Sequence, residues 1–69
     1  MTKYDEAIAL FDRILAIDPD NLDALVAKGN ALYALGKNEQ AVSYYDKALE
    51  IDPNNSDAMS RRETALNDQ

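Results

Sequence analysis

The strongest constraint on the fold of this chain is that its sequence repeats itself at a fixed interval. The segment Ile17-Asp18-Pro19 returns as Ile51-Asp52-Pro53, so the offset is 51 − 17 = 34. Shifting the chain by this offset leaves 69 − 34 = 35 comparable pairs, and 12 of them are identical. Unrelated positions would give about two identities at ordinary residue frequencies. A period near 34 indicates a helix–turn–helix repeat, in which each unit buries its apolar face against its neighbours.

The positions of capping residues, glycines and prolines predict four helices. Thr2 followed by Asp5 is a capping-box arrangement that begins a helix, and Asp18-Pro19 ends it, because the residue before a proline disfavours the helical region. Asp20 or Asn21 caps the second helix, and Gly36 closes it in the left-handed conformation. No segment alternates with the period of a strand. We therefore predict an all-α solenoid segment of four antiparallel helices joined by short turns, over residues 3–17, 22–35, 38–51 and 56–66.

A glycine inside the second predicted helix indicates a close approach between two helices. Gly29 costs about 1 kcal/mol relative to alanine in a helix interior. A neighbouring backbone at short distance would compensate for that cost. Ala41 is the expected partner, because two small residues let two helices come together, and Tyr45 and Leu49 would fill the space beside them.

Composition excludes several classes of function. The 69 residues contain no cysteine and no histidine, so the usual structural zinc ligands and the commonest catalytic base are missing. The net charge of −6 is unfavourable for binding nucleic acid or an anionic membrane surface. No apolar run is long enough to be a signal peptide or a transmembrane span. We predict a cytoplasmic chain of one small domain with no cofactor, metal or catalytic residue.

Two kinds of chemistry are open to the polar residues: calcium binding near Asp52 and nucleophilic catalysis by a serine. Asp52, Asn54, Ser56 and Glu63 match several positions of a calcium-binding loop, but Asp57 replaces its required glycine. Capping by Asp and Asn explains the same residues. The serines have no histidine or cysteine beside which they could act as nucleophiles, so we do not expect an enzyme.

The small, large and proline positions of residues 22–55 resemble one full tetratricopeptide repeat. Residues 2–21 resemble the second helix of a preceding repeat, and residues 56–69 resemble the first helix of a following one. Departures from the family pattern include Leu25 in place of tryptophan, Lys28 in place of leucine and Glu63 in place of glycine. The characteristic positions are Gly29, Leu32, Ala41, Tyr45, Ala48 and Pro53.

This resemblance implies a module that binds a peptide or partner protein on the concave surface formed by the first helices of the repeats. On the second helix, that surface would comprise Asp23, Val26, Ala27, Asn30, Tyr33 and Ala34. The fourth helix would add Asp57, Ser60, Arg61 and Thr64. The acidic residues favour a neutral or basic partner. A solvated helix face with no partner explains the same residues equally well.

One subclass of the family holds a terminal carboxylate with a clamp of basic and amide side chains. Only Asn30 and Arg61 occupy clamp-like positions here. Val26, Ala27 and Asp57 stand where the clamp requires lysine or asparagine, so we do not expect this subclass.

The alternative function is self-assembly through the first helix, with no separate ligand. The chain begins in the middle of a repeat, without the helix that normally covers the first one. Apolar residues occupy about half of the circumference of the first helix, which is more than a surface helix needs. We therefore expect a two-fold homodimer, formed by docking or by exchange of helices. The expected contact residues are Tyr4, Leu10, Phe11, Ile14 and Ile17.

Overall fold

The fold is all-α, with four helices in the order in which the sequence predicts them. A computed structural model describes residues 2–68; Met1 and Gln69, the ends of the predicted module, lie outside them. The helices are α1 (Lys3–Ile17), α2 (Leu22–Ala34), α3 (Asn38–Ile51) and α4 (Ser56–Asn67). No strand occurs among these residues. The predicted ends of α1 and α3 are confirmed, whereas α2 ends one residue earlier than predicted and α4 one residue later.

Side-chain caps begin three of the four helices. The predicted capping box is present: Thr2 Oγ1 accepts a hydrogen bond from the Asp5 backbone N–H at 3.1 Å, and the Asp5 carboxylate accepts one from the Thr2 N–H at 3.1 Å. The hydrogen bonds that the Asp5 carboxylate accepts from the Thr2 N–H and from the Thr2 hydroxyl hold the pKa of Asp5 below its ordinary value. Asn21 and Asn55, which are equivalent positions of the repeat, cap α2 and α4, each accepting from a backbone N–H at 3.0 Å. Of the two residues predicted to cap α2, the structure uses Asn21.

The end of α2 is fixed by a glycine-dependent turn. Gly36 has φ of 80°, the left-handed region predicted for it. The Lys37 N–H donates to the Leu32 carbonyl at 2.9 Å, and the Gly36 N–H donates to the Tyr33 carbonyl at 2.9 Å. This pair of bonds is the Schellman motif, which satisfies the last carbonyls of a helix. The turn leads the chain directly into α3.

The helices form two thin layers, with Cα extents of 27 × 25 × 14 Å. Within residues 2–68, α2 packs against α1, α3 and α4, while α1 packs against α2 alone. Most residues of the core are alanines, whose small side chains let the helix backbones approach one another. Tyr45 is the one large side chain among residues 2–68 that is fully buried. The core cluster consists of Leu25, Val26, Leu32, Ala41, Tyr45, Ala48, Ala58 and Ala65.

The close approach at Gly29 exists, but its nearest neighbour is not the predicted one. A Cβ atom added at Gly29 would lie 2.6 Å from Cε1 of Tyr45 and 2.9 Å from Cδ1. The expected pairing with Ala41 therefore requires correction, since the tyrosine ring rather than a second small residue lies against the glycine. Ala41 is itself fully buried within the same core. Gly29 makes room for a large side chain, which is a different reason for a helical glycine than backbone–backbone contact.

No helix in residues 2–68 is both long and apolar enough to cross a lipid bilayer.

Candidate partner-binding face of α2 and α4

The residues predicted to bind a partner lie along one side of α2, but the structure exposes them unequally. At 100° per residue they cover an arc of about 120°. Asp23 and Ala34 are exposed, while Ala27, Asn30 and Tyr33 are half-buried. Val26 is only 8% exposed and belongs to the core cluster. The expectation that Val26 offers an apolar contact to a partner is therefore wrong, because packing against the rest of the module already covers it.

Asn30 is held in place from inside the molecule. Its Oδ1 atom accepts a hydrogen bond from the Tyr45 hydroxyl at 2.6 Å. Burial is the main reason that the pKa of Tyr45 lies above its ordinary value, so this hydroxyl stays protonated and able to donate. The side-chain amide N–H groups of Asn30 donate no hydrogen bond within residues 2–68. Asn30 is thus oriented by the core and keeps its donors for an outside acceptor.

Tyr33 lies at one end of this face and contacts the end of α4. Its hydroxyl donates to the Asp68 carboxylate. That hydrogen bond raises the pKa of Tyr33 above its ordinary value. The contact places a negative charge at the end of the face and links α2 to the C-terminal end of α4. Tyr33 is therefore half-buried beside Asp68 and does not project freely toward a partner.

On α4 the four predicted residues are all exposed, and the side chains of Asp57, Arg61 and Thr64 have hydrogen-bond partners within the helix. Arg61 Nε donates to Asp57 Oδ1 at 2.7 Å, an i,i+4 ion pair. Thr64 Oγ1 donates to the Ser60 carbonyl at 3.0 Å. Because Asp57 neutralises Arg61 locally, Asp23 on α2 and Asp68 leave the combined face with a net negative charge.

The two residues at clamp-like positions are both engaged internally. Asn30 accepts from Tyr45, and Arg61 is paired with Asp57. A terminal carboxylate would have to compete with Asp57 for the arginine.

Two concavities among the described residues are lined by side chains outside the predicted α2 face. One, of about 430 Å³, adjoins the α2–α3 turn and is lined by Gly36, Lys37, Asn38, Glu39, Gln40 and Asp68. Another, of about 230 Å³, is lined by Asp12, Leu15, Pro19, Leu25, Lys28, Tyr44 and Lys47. Neither includes a residue of the predicted α2 face. An extended polypeptide suits an open face better than a small molecule, which needs a concave site.

Sequence reasoning missed a pair of ion pairs that recur with the repeat. Lys28 pairs with Asp12, and Arg62 pairs with Asp46. Arg62 and Asp46 each lie one repeat period after Lys28 and Asp12. Each ion pair joins a second helix to the first helix of the next unit. The signal is present in the sequence, because both copies place an acid 16 residues before a base. Comparison with the family pattern marks Lys28 only as a departure.

The Lys28 side chain also contacts an aromatic ring. Its Nζ donates to the Tyr44 hydroxyl at 2.8 Å and lies 4.4 Å from the centroid of the Tyr44 ring. Partial burial alone would lower the pKa of Lys28, but the hydrogen bonds to Asp12 and Tyr44 outweigh it and raise the pKa. Lys28 therefore carries its charge in a half-buried position, and the ion pair holds α1 against α2.

Acidic residues elsewhere act as caps. The Asp52 carboxylate accepts from the Asn54 N–H at 3.3 Å, in the turn where the sequence resembles part of a calcium loop. Among residues 2–68, no three acidic side chains converge as ligands of a metal ion would.

Comparison with known proteins identifies the family. A family model described as tetratricopeptide repeat matches residues 1–60. A search of curated proteins found no match. The family match spans most of the chain and agrees with the four helices and the repeat period. Such repeats generally mediate contacts between proteins and are typically not catalytic. The chain belongs to the tetratricopeptide repeat family.

Proposed function

We propose that the chain binds a neutral or basic peptide segment of a partner protein on the face formed by α2 and α4. The observation that carries this proposal is Asn30, which the buried Tyr45 hydroxyl orients and whose amide donors are unused within residues 2–68. Such donors suit the backbone carbonyls of an extended peptide. Asp23, Ala27 and Ala34 flank Asn30 and make up the accessible part of the face.

The charge of the face favours a basic peptide over an acidic one. Asp23 is exposed, and the Asp68 carboxylate lies at the Tyr33 end. Complementary charge mainly increases the rate of association and discriminates against partners of like charge. Binding should therefore weaken as the salt concentration rises, since exposed charges are screened over about 8 Å at physiological ionic strength.

Replacing Ala34 with arginine is expected to weaken binding of a basic peptide selected from a display library by about tenfold or more, equivalent to about 1.4 kcal/mol. The new side chain adds bulk and a like charge at an exposed position that belongs to the face but not to the core. Isothermal titration calorimetry measures the change. Asn30→Ala should weaken binding as well, by removing the oriented donors.

Ala9→Arg is the matched control, because Ala9 is also an exposed alanine but lies on α1. It should bind the same peptide as tightly as the unmodified chain. Equal binding by the Ala34→Arg and Ala9→Arg variants would contradict the proposed face. So would peptide-induced NMR shifts confined to α1 and α3.

As a second candidate, we infer that two copies associate through α1. The supporting observation is that α1 contains no buried residue, although much of it is apolar. Ile17 is 88% exposed and Leu10 is 58% exposed. With Ile14, at 41%, they lie within an arc of about 60° on α1 at 100° per residue. Ile8 and Leu15, which pack against the core, lie on another side of the helix.

The five α1 residues predicted to form the contact differ in exposure. Leu10, Ile14 and Ile17 form the arc just described, which we call the α1 stripe. Phe11 is half-buried, and Tyr4 is 49% exposed nearer the N-terminus. Burying a large apolar side chain fully contributes about 1.5–3 kcal/mol, so covering the α1 stripe would add substantially to the stability of a small domain.

Ile17→Asp combined with Leu10→Asp is expected to convert a dimer to a monomer, because it would place two carboxylates in the buried contact. Sedimentation velocity at high micromolar concentration measures the mass. Both positions are exposed, so the variant should keep its helical content, whereas Phe11→Asp would also disturb the packing of α1.

The control is Ile51→Asp, which changes the repeat counterpart of Ile17 on α3. Ile51 is 42% exposed and lies off α1. This variant should retain the mass of the unmodified chain. A monomeric mass for the unmodified chain at the same concentration would rule out the dimer and leave the peptide-binding proposal untouched.

A further inference from the structure

The sequence repeat makes α4 the counterpart of α2, yet the same face is buried on α2 and exposed on α4. On α2, Leu25 and Leu32 flank Gly29 and are each 3% exposed, because neighbouring helices cover them. Their counterparts on α4 are Met59, 44% exposed, and Leu66, 41% exposed. Within residues 2–68, α4 packs only against α3 and α2. The Met59–Leu66 face of α4 is thus an apolar surface with the same register as the surface that holds α3.

A helix of the right kind to cover that face is present in every copy of the chain. α1 is the repeat counterpart of α3: Phe11 corresponds to Tyr45, and Leu15 corresponds to Leu49. Its α1 stripe is exposed. If α1 of a second copy lay on α4 as α3 lies on α2, it would continue the α2–α3 interface of the chain from one copy to the next. Such a head-to-tail contact would continue the solenoid, so each added copy would present a further free α4 face and assembly could extend from copy to copy.

Glu63 stands at the position where this contact is tightest. Its counterpart is Gly29, where an added Cβ would lie 2.6 Å from the Tyr45 ring. Real Cβ atoms essentially never approach another atom under 3.0 Å. The Glu63 Cβ would meet the Phe11 ring of the incoming helix in the same way. Its carboxylate would also be carried into an apolar contact between Met59 and Leu66, which disfavours a charged group.

We propose that Glu63 prevents head-to-tail stacking of copies. At Gly29, α3 comes close to α2; at the equivalent position on α4, the Glu63 side chain keeps α1 of a second copy from coming equally close. The Met59–Leu66 face is then a latent docking surface whose occupant is α1 of another copy. This proposal does not depend on peptide binding. A two-fold contact between α1 helices would compete with it, because both contacts use the α1 stripe.

Glu63→Gly is expected to open this surface. By sedimentation velocity, the weight-average mass of the variant should continue to rise with concentration, where that of the unmodified chain levels off. Glu63→Ala is the matched control, because it removes the carboxylate but keeps the Cβ atom; its mass should level off as in the unmodified chain. Adding Leu66→Asp to Glu63→Gly should abolish the growth, since it places a charge on the α4 face.

Two results with these variants would overturn the proposal. The first is a mass for Glu63→Gly that levels off at the value of the unmodified chain while circular dichroism shows α4 still helical. The second is growth of Glu63→Ala equal to that of Glu63→Gly, which would show that the Cβ atom is not the obstacle.

A further variant tests the proposal without placing a glycine in α4. Leu66→Asp in the otherwise unmodified chain changes an exposed residue, so the fold should be retained. Its mass should equal that of the unmodified chain, because the α4 face is unused while Glu63 is present. A fall in mass would show that copies already dock on α4, and the proposed role of Glu63 would be wrong.

Discussion

Replacing Tyr45 with alanine is expected to destabilise the chain by about 3–5 kcal/mol, the range for removing a buried aromatic side chain. Tyr45 is 1% exposed and is the largest fully buried side chain among residues 2–68. The rest of the core consists largely of alanines, whose methyl groups cannot move far enough to fill the space. Since the single core of a domain this small supplies about 3–5 kcal/mol of stability, the variant should be substantially unfolded at room temperature.

Urea unfolding followed by far-ultraviolet circular dichroism measures this effect. Tyr45→Phe is the control, because it keeps the ring against Gly29 and removes only the hydrogen bond to Asn30. It should cost about 0.5–1.5 kcal/mol. If both variants were equally stable, the ring would not be the central element of the core. An equal loss in both variants would instead place the importance in the hydroxyl, which both of them lack.

Gly29→Ala should destabilise the chain by about 1–3 kcal/mol, although the same change inside most helices is stabilising. The sign reverses because the new Cβ would lie 2.6 Å from Cε1 of Tyr45. The ring is fully buried and cannot move away without disturbing the residues around it. The better helix propensity of alanine offsets about 1 kcal/mol of the loss, so the steric conflict costs more than the expected net change.

A double-mutant cycle separates these two contributions. In the Tyr45→Leu background, the ring is absent, and Gly29→Ala should become neutral or stabilising. The difference between the two backgrounds is the coupling between the positions. Thermal unfolding of the four chains gives this coupling. A cost for Gly29→Ala that is the same in both backgrounds would show that some other neighbour limits the space at Gly29.

Local chemistry made the helices predictable from the sequence. The signals that begin and end the helices affect only the backbone of adjacent residues, so they do not depend on the rest of the fold. These signals are Thr2 with Asp5, the two Asp-Pro pairs and Gly36. The predicted bounds of α1 and α3 are confirmed for this reason. At the end of α2, the Schellman turn uses Leu35 as the cap, and the helix ends at Ala34. That one-residue difference comes from a hydrogen-bond arrangement that the sequence pattern does not distinguish.

The candidate site was predictable only as a helix face. The repeat pattern places Asp23, Asn30 and Ala34 on one side of α2. It does not show that Val26, at the edge of that side, is in the core. Nor does it show that Asn30 and Tyr33 have partners on α3 and at the end of α4. These partners are 15 and 35 residues away in sequence, so no local pattern reports them.

The repeat period, the helix boundaries to within one residue and the tetratricopeptide architecture follow from the sequence, because periodicity and capping are properties of neighbouring residues. The packing of the helices determines which side chain lies against Gly29 and which face residues are accessible, and it brings Lys28 and Arg62 to Asp12 and Asp46. Those outcomes depend on small differences in the distance between helices, at which one Cβ atom separates a close contact from a clash.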